Sequence, residues 1–263
     1  MAMTVTPPDW RNENTYNYTA KLSRAGWAWE FLRRNPKFQS DYARVMAKAP
    51  KVRRRTSRVS EMPELKRWGV VWCDPPSEDA LSASVFWHAD ACTHVLPLVG
   101  SRRAGANVPE SAFETLISRA QHLGSREGRH MLLCDGAHRL QLQFRGRRAG
   151  RSGLLLTPAV ICPRLISTRL RLLSCFNDYL LAGKLLSKYF PLEPRERRLR
   201  VVLRALDGSL CSACHRDIAI ALYGDERVRS TWNDPRAHLR DTVRRAVRRG
   251  KALMRSGYLR LLR

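Results

Sequence analysis

The sequence predicts an α+β chain, mainly α, with a small β-rich middle between two helical ends. Three observations carry this. Aromatic residues recur at helical spacing near the N-terminus, apolar and polar residues alternate around residues 130–145, and the last hundred residues hold several amphipathic helical patterns. The 263 residues are 44% hydrophobic, enough for a sizeable core.

Residues 1–50 form the first unit, a small helical hairpin. In "GWAWEFLRRNPKFQSDY", Trp27, Phe31 and Leu32 share a helical face with Trp29 and Glu30 beside it. Asn35-Pro36 interrupts the pattern, because proline disfavours helix at the residue before it. A second helix is expected from Pro36 to about Ala47, with Phe38, Tyr42, Val45 and Met46 inward. Trp27, Trp29 and Phe31 read first as the core of this hairpin and second as a protein-contact surface. Residues 51–64 are basic, rich in Ser and Pro, and aperiodic, which is the composition of a linker.

Residues 65–160 read as β-rich. "SVFWHADACTHVLPLVG" and "SGLLLTPAVI" supply apolar strands. In "HMLLCDGAHRLQLQFRG", Leu140, Leu142 and Phe144 alternate with Arg139, Gln141 and Gln143 after an Asp135-Gly136 turn, the pattern of a half-buried hairpin strand. "PESAFETLISRAQHL" reads as an intervening helix with Phe113, Leu116, Ile117 and Ala120 on one face. His88, His94, His130 and His138 fall in or near the strands, but none shows paired ligand spacing, so they read as ordinary histidines.

Residues 161–263 are helical throughout by pattern. One helix falls within Leu165–Phe190. The next puts Leu199, Val202, Leu203 and Leu206 on one face and is expected to end at Asp207-Gly208. A short helix follows, with Ile218, Ala219 and Leu222 as its inner face and a stop at Gly224. The last helix is expected to be capped by Asp234, with Pro235 in its first turn, and to run to about Arg255. Leu239, Val243, Ala246, Val247, Gly250, Leu253 and Met254 fall on one arc; Arg236, Arg240, Arg244, Arg245, Arg248, Arg249, Lys251 and Arg255 fill the other.

Charge points to function. The chain holds 48 Lys+Arg against 23 Asp+Glu, a net charge of +25. Residues 164–263 carry 23 of those cations against 9 acids. Such an excess favours a polyanionic partner. A short helix, a turn and a longer basic helix is the order of helix-turn-helix DNA recognition. The expected contacts to double-stranded DNA are Arg216, Arg236, His238, Arg240, Arg244, Arg245, Arg248, Arg249 and Lys251. Ile218, Ala219, Leu222, Trp232, Leu239, Val243 and Leu253 are expected to form the core beneath them.

Other classes fit less well. No paired carboxylates, phosphate-cradling glycine loop or metal-ligand set is visible, so an enzyme is not expected. "CSACH" at 211–215 matches a haem-attachment pattern, but no leader for export is seen, and a zinc site there lacks a second ligand pair. No cofactor or metal is therefore expected. No apolar run is long enough to span a membrane, and seven scattered cysteines suit a reducing cytoplasm.

The terminal region, "RALDGSLCSACHRDIAIALYG" followed by a Trp and "LRDTVRRAVRRGKALMRSGYLRLL", resembles the DUF2285 helix-turn-helix family of proteobacterial integrative and conjugative elements. The N-terminal "GWAWEFLRRNPKFQSDY" resembles the DUF6499 regulator module that often precedes it, and "WGVVWCDPP" with "VFWHAD" resembles the region connecting the two. The resemblance implies a transcriptional activator of excision and conjugative transfer, acting in the cytoplasm at the nucleoid. RNA polymerase or an antiactivator would be its protein partner. It also implies an alternative: an antiactivator or adaptor of the same fold that contacts another regulator and not DNA. Within the family a small residue, typically Ser, precedes the helix that Arg216-Asp217-Ile218-Ala219 matches. Cys214 then stands in as the N-cap and Asp217 for the usual Glu, at a cost of about 1 kcal/mol.

Overall fold

The computed structural model describes residues 8–48, 59–60, 62–101, 120–125, 128–145, 155–158, 165–232, 234 and 238–263. The fold is α+β and mainly α. A 3-10 helix over Glu13–Lys21 leads into α1 (Arg24–Leu32) and α2 (Pro36–Lys48). Ser23 caps α1 by accepting a hydrogen bond from the Gly26 amide. Asn35 does the same for α2, its Oδ1 accepting from the Lys37 amide at 2.9 Å. Trp27, Trp29 and Phe31 are fully buried, so they offer no surface to a partner. Met46, expected inward, is 44% exposed, because α2 buries only the Phe38–Tyr42–Val45 side against the body.

The middle is a six-stranded mixed sheet with a two-stranded ribbon. The strands are β1 (Val59–Ser60), β2 (Val70–Cys73), β3 (Val85–Trp87), β4 (Val95–Ser101), β5 (Ala120–Ser125), β6 (Gly128–Asp135), β7 (His138–Arg145) and β8 (Leu155–Pro158). The sheet order is β1-β5-β6-β7-β4-β8; β2 and β3 form the ribbon. Two expectations change here. The linker over 51–64 contains β1, which pairs parallel with β5. The helix expected over 109–123 gives way to β5 at its end, since Ala120–Ser125 pair antiparallel with β6; residues 109–119 lie outside the described residues.

β7 is buried on both faces, not on one. Leu140, Leu142 and Phe144 pack against α3 (Ile166–Ala182) through its Leu172, Cys175, Phe176 and Tyr179. Gln141 and Gln143, expected in solvent, are both buried, Gln141 beneath the ribbon. The Gln141 amide acts as a peptide surrogate: Oε1 accepts from the Trp87 N–H and Nε2 donates to the Trp87 carbonyl, both at 2.8 Å. A buried polar side chain is tolerable when satisfied in this way.

Four further α-helices lie among the described residues: α4 (Glu196–Leu210), α5 (His215–Tyr223), α6 (Asp225–Thr231) and α7 (Leu239–Arg255), with a 3-10 helix over Gly257–Leu261 after the last. They share one core with the N-terminal helices and the ribbon, running from Trp10 to Leu262. α4 does not stop at Asp207-Gly208 but continues to Leu210. Both residues are needed inside the core. Asp207 binds Arg34 in a bidentate pair (2.6 and 2.8 Å) and accepts from the Tyr16 hydroxyl at 2.6 Å. A Cβ on Gly208 would lie 2.9 Å from Ile218 and 3.1 Å from Trp10. Glu30 extends the network, accepting from Arg33, Arg34 and Tyr18 and from the Ala80 amide.

Burial opposes ionisation of Glu30, but Arg33 and Arg34 more than offset it and hold the carboxyl below its ordinary range. Since the folded pKa is the depressed one, Glu30 contributes stability at neutral pH. That contribution is lost as the pH falls through the folded value, below the ordinary carboxyl range. The melting temperature of Glu30→Gln is therefore expected to be lower than wild type at pH 7, with the gap narrowing towards pH 3. A constant gap across that range would contradict this.

Gly250 sets how closely α7 approaches α4. A Cβ there would lie 2.8 Å from the Leu206 Cβ and 3.1 Å from the Val202 carbonyl oxygen. Alanine would gain about 1 kcal/mol of helix propensity. The atoms it meets belong to or adjoin the α4 backbone and cannot swing aside, so overpacking of about 1–3 kcal/mol wins. Gly250→Ala is expected to melt several degrees lower; a raised melting temperature would show that the two helices can part freely.

Candidate nucleic-acid interface

α4, α5 and α7 pack on one another, with the polar face of α7 turned outward. α7 exists because its apolar positions repeat on one side: Val243, Ala246, Val247, Gly250 and Met254 are buried. Ile218, Ala219 and Val243 are buried; Leu222, Trp232, Leu239 and Leu253 are half-buried against the same core.

α5 is capped by Cys214, whose sulfur accepts from the Asp217 amide at 3.4 Å. Cys211 closes α4 as its C-cap. Both cysteines are thus placed at a helix–helix turn. Among the described residues no group of three His, Cys, Asp or Glu side chains is placed to hold a metal ion. His88 and His130 are core residues, and His138 stacks on Phe190 with centroids 4.6 Å apart.

The turn expected between α5 and the basic helix contains α6. Gly224, at φ +87°, ends α5 and begins α6 without an intervening residue. Val228 anchors α6 in the core. The described part of the basic helix starts at Leu239; the expected start at Asp234-Pro235 runs into residues 235–237, which lie outside the described residues. The Asp234 amide donates to the Thr231 carbonyl, extending the end of α6. His238 occupies the cap position without a side-chain bond, and its carbonyl accepts from the Thr242 hydroxyl at 2.8 Å. Arg236 lies outside the described residues.

Arg216, His238, Arg240, Arg244, Arg245 and Arg248 are exposed; Arg249 and Lys251 are half-buried. A groove of about 350 Å³ between the start of α5 and α7 is lined by His215, Arg244, Val247, Arg248, Lys251, Ala252 and Arg255. Asp241 is the one acid on α7, and it pairs with Arg244 at 3.0 Å. Arg240, Arg248, Lys251 and Arg255 make no ion pair among the described residues. Sequence reasoning placed Arg255 on the basic arc but did not assign it a contact, and it missed His215. His215 follows the Cys214 cap directly, and only the packing of α5 beside α7 brings it to the groove.

This arrangement can hold a polyanion along α7: guanidinium forks suit phosphate oxygens, and a helix of 10–12 Å diameter fits the B-DNA major groove. No helix among the described residues is long and apolar enough to cross a membrane. No curated protein matches the chain significantly. Residues 9–73 match the family described as a proteobacterial transcriptional regulator-like domain. Residues 160–263, which contain α7 and its groove, match the family described as "T6SS, Transcription factor, DNA binding domain", and together the two matches support a DNA-binding transcriptional regulator.

Proposed function

We propose that this protein binds promoter DNA sequence-specifically through α7 and activates genes for excision and conjugative transfer of a mobile element. The carrying observation is the groove of α7, lined by Arg244, Arg248, Lys251 and Arg255 with no acid among its lining residues. The choice of target genes rests on the resemblance to DUF2285 regulators and their N-terminal module. The description of the matched DNA-binding domain names T6SS transcription, so secretion genes are the competing class of target. The role is binding, not catalysis, and it is exercised in the cytoplasm. RNA polymerase, or an antiactivator acting on this protein, is the protein partner this reading requires.

The test uses the full chain in gel shifts against promoter duplexes from its own element and a scrambled duplex, at rising salt. Promoter binding that persists at about 150–200 mM salt supports the reading; equal, weak binding to both duplexes that vanishes in that range would favour the protein-binding alternative. Arg240→Ala/Arg244→Ala is expected to lose promoter affinity at an unchanged melting temperature. Retained promoter affinity in the folded double variant would overturn the assignment of α7.

A further inference from the structure

α4 begins with three exposed cations, Arg195, Arg197 and Arg198. This is the wrong sign for a helix N-terminus, where the macrodipole favours acids by about 0.3–1 kcal/mol each. Of the nearby acids, Glu196 pairs with Arg200, and Glu193 lies 3.6 Å from Arg24 while its Oε1 accepts from the Arg195 backbone amide at 3.3 Å, so neither pairs with the Arg195, Arg197 or Arg198 side chains. Arg195 and Arg198 make no ion pair among the described residues. α4 and α7 approach closely where Gly250 meets Val202 and Leu206, and this brings the start of α4 within charge range of Arg249, whose guanidinium is held below its ordinary pKa by partial burial and then by the charges of Arg198 and Arg195. A cluster of like charges that folding does not need calls for an external anion.

The position of this cluster relative to the groove defines its use. At about 100° per residue, Arg244, Arg248, Lys251 and Arg255 form one flank of α7, beside α5. Arg249 lies on the opposite flank, within charge range of the start of α4. The crest between the flanks carries Asp241, Arg245 and Ala252. Asp241 is held by Arg244, and among the described residues the Arg245 guanidinium meets only the Thr242 hydroxyl, at 3.4 Å.

Resting on the DNA-binding reading above, we propose that the two flanks grip the two phosphate strands bordering one major groove and that Arg245, on the crest, reads a base edge. The second grip is Arg195–Arg198–Arg249, contributed by α4 as much as by α7. The geometry matches the duplex: a helix lying in the major groove has a phosphate strand on either side and base edges beneath its crest. Phosphate contacts set affinity and salt dependence, whereas base contacts set sequence preference, so the two roles separate in experiment.

The experiment uses the full chain and three variants: Arg248→Ala/Lys251→Ala, Arg195→Ala/Arg198→Ala, and Arg245→Ala. Each is measured for the salt slope of binding to one 30-base-pair duplex, and for the sequences it enriches from a randomised duplex pool. Each flank variant should reduce the slope by about 1.8, from about 0.9 per lost phosphate contact, and enrich the wild-type sequences. Arg245→Ala should keep the slope within about one unit and lose about 5- to 150-fold discrimination at one or two base positions. An unchanged slope in Arg195→Ala/Arg198→Ala, or wild-type preference in Arg245→Ala, overturns the proposal while leaving DNA binding intact. A wild-type chain that enriches no sequence overturns both this proposal and the function it rests on.

Discussion

Asp207→Ala is expected to lower the unfolding free energy by about 3–5 kcal/mol, the range for breaking a buried ion pair by removing one partner. Asp207 is fully buried, as are Arg34 and Glu30. Its loss would leave the Arg34 guanidinium with a single carboxylate, Glu30, and would strip the Tyr16 hydroxyl of its 2.6 Å acceptor. Burial comes first among the causes that push the Tyr16 phenol well above its ordinary pKa, and it persists when the Asp207 charge is removed, so the phenol does not replace the lost anion. Water cannot readily enter a site enclosed by Trp10, Tyr16 and α4, so the orphaned charge remains desolvated. Urea unfolding of the full chain would measure the change. A loss under about 1 kcal/mol would show that the network is solvated in practice.

The fragment 160–263 is expected not to fold by itself, although it is a recognisable sequence unit. Its α4 and α7 are covered by residues that the fragment lacks. Trp10, Tyr16, Leu22, Trp27, Phe31 and Phe38 all sit in the shared core with Leu206, Val243 and Met254. Burial of side chains of this size is worth about 1.5–3 kcal/mol each, so six of them amount to about 9–18 kcal/mol. That is comparable with the whole stability of an ordinary domain, about 5–15 kcal/mol. Polar ties are lost as well. Asn35 Nδ2 donates to the Met254 carbonyl at 3.0 Å, and Arg204 donates to the Trp10 and Arg11 carbonyls at 3.3 Å. Circular dichroism should show a fragment without a cooperative melt, and gel shifts should show it unable to select the promoter. A fragment that melts cooperatively and binds like the full chain would mean that the N-terminal helices are dispensable for the interface.

Several elements were legible in the sequence because their signals are local. The β6–β7 hairpin follows from alternation around Asp135-Gly136, and Gly136 takes φ +58° there. The basic and apolar arcs of α7 follow from its period, and the N-cap of α5 follows from Cys214 three residues before Asp217. Other features were not legible because distant residues decide them. Gln141 and Gln143 look solvent-facing until tertiary packing buries them. Asp207-Gly208 reads as a helix stop until Arg34 and Trp10 supply partners for each. A helix pattern at Ala120–Leu123 yields to a strand because β6 offers its free edge. α6 is too short for its period to stand out, and the single buried Val228 anchors it.

The sequence by itself determined the α+β class, the excess of cations towards the C-terminal end, and the face of α7 on which they lie. These depend on composition and on periods of two and 3.6 residues, which any window of the chain displays. That the two helical ends share one core, that His215 completes the groove, and that Arg195 and Arg198 come within charge range of Arg249 follow from long-range packing alone. Range separates the two kinds of feature. Hydrophobic periodicity reports which side of an element seeks cover, whereas the identity of the cover, and of the charge partner within it, is settled by contacts spanning up to 236 residues, as between Arg24 and the Arg260 carbonyl.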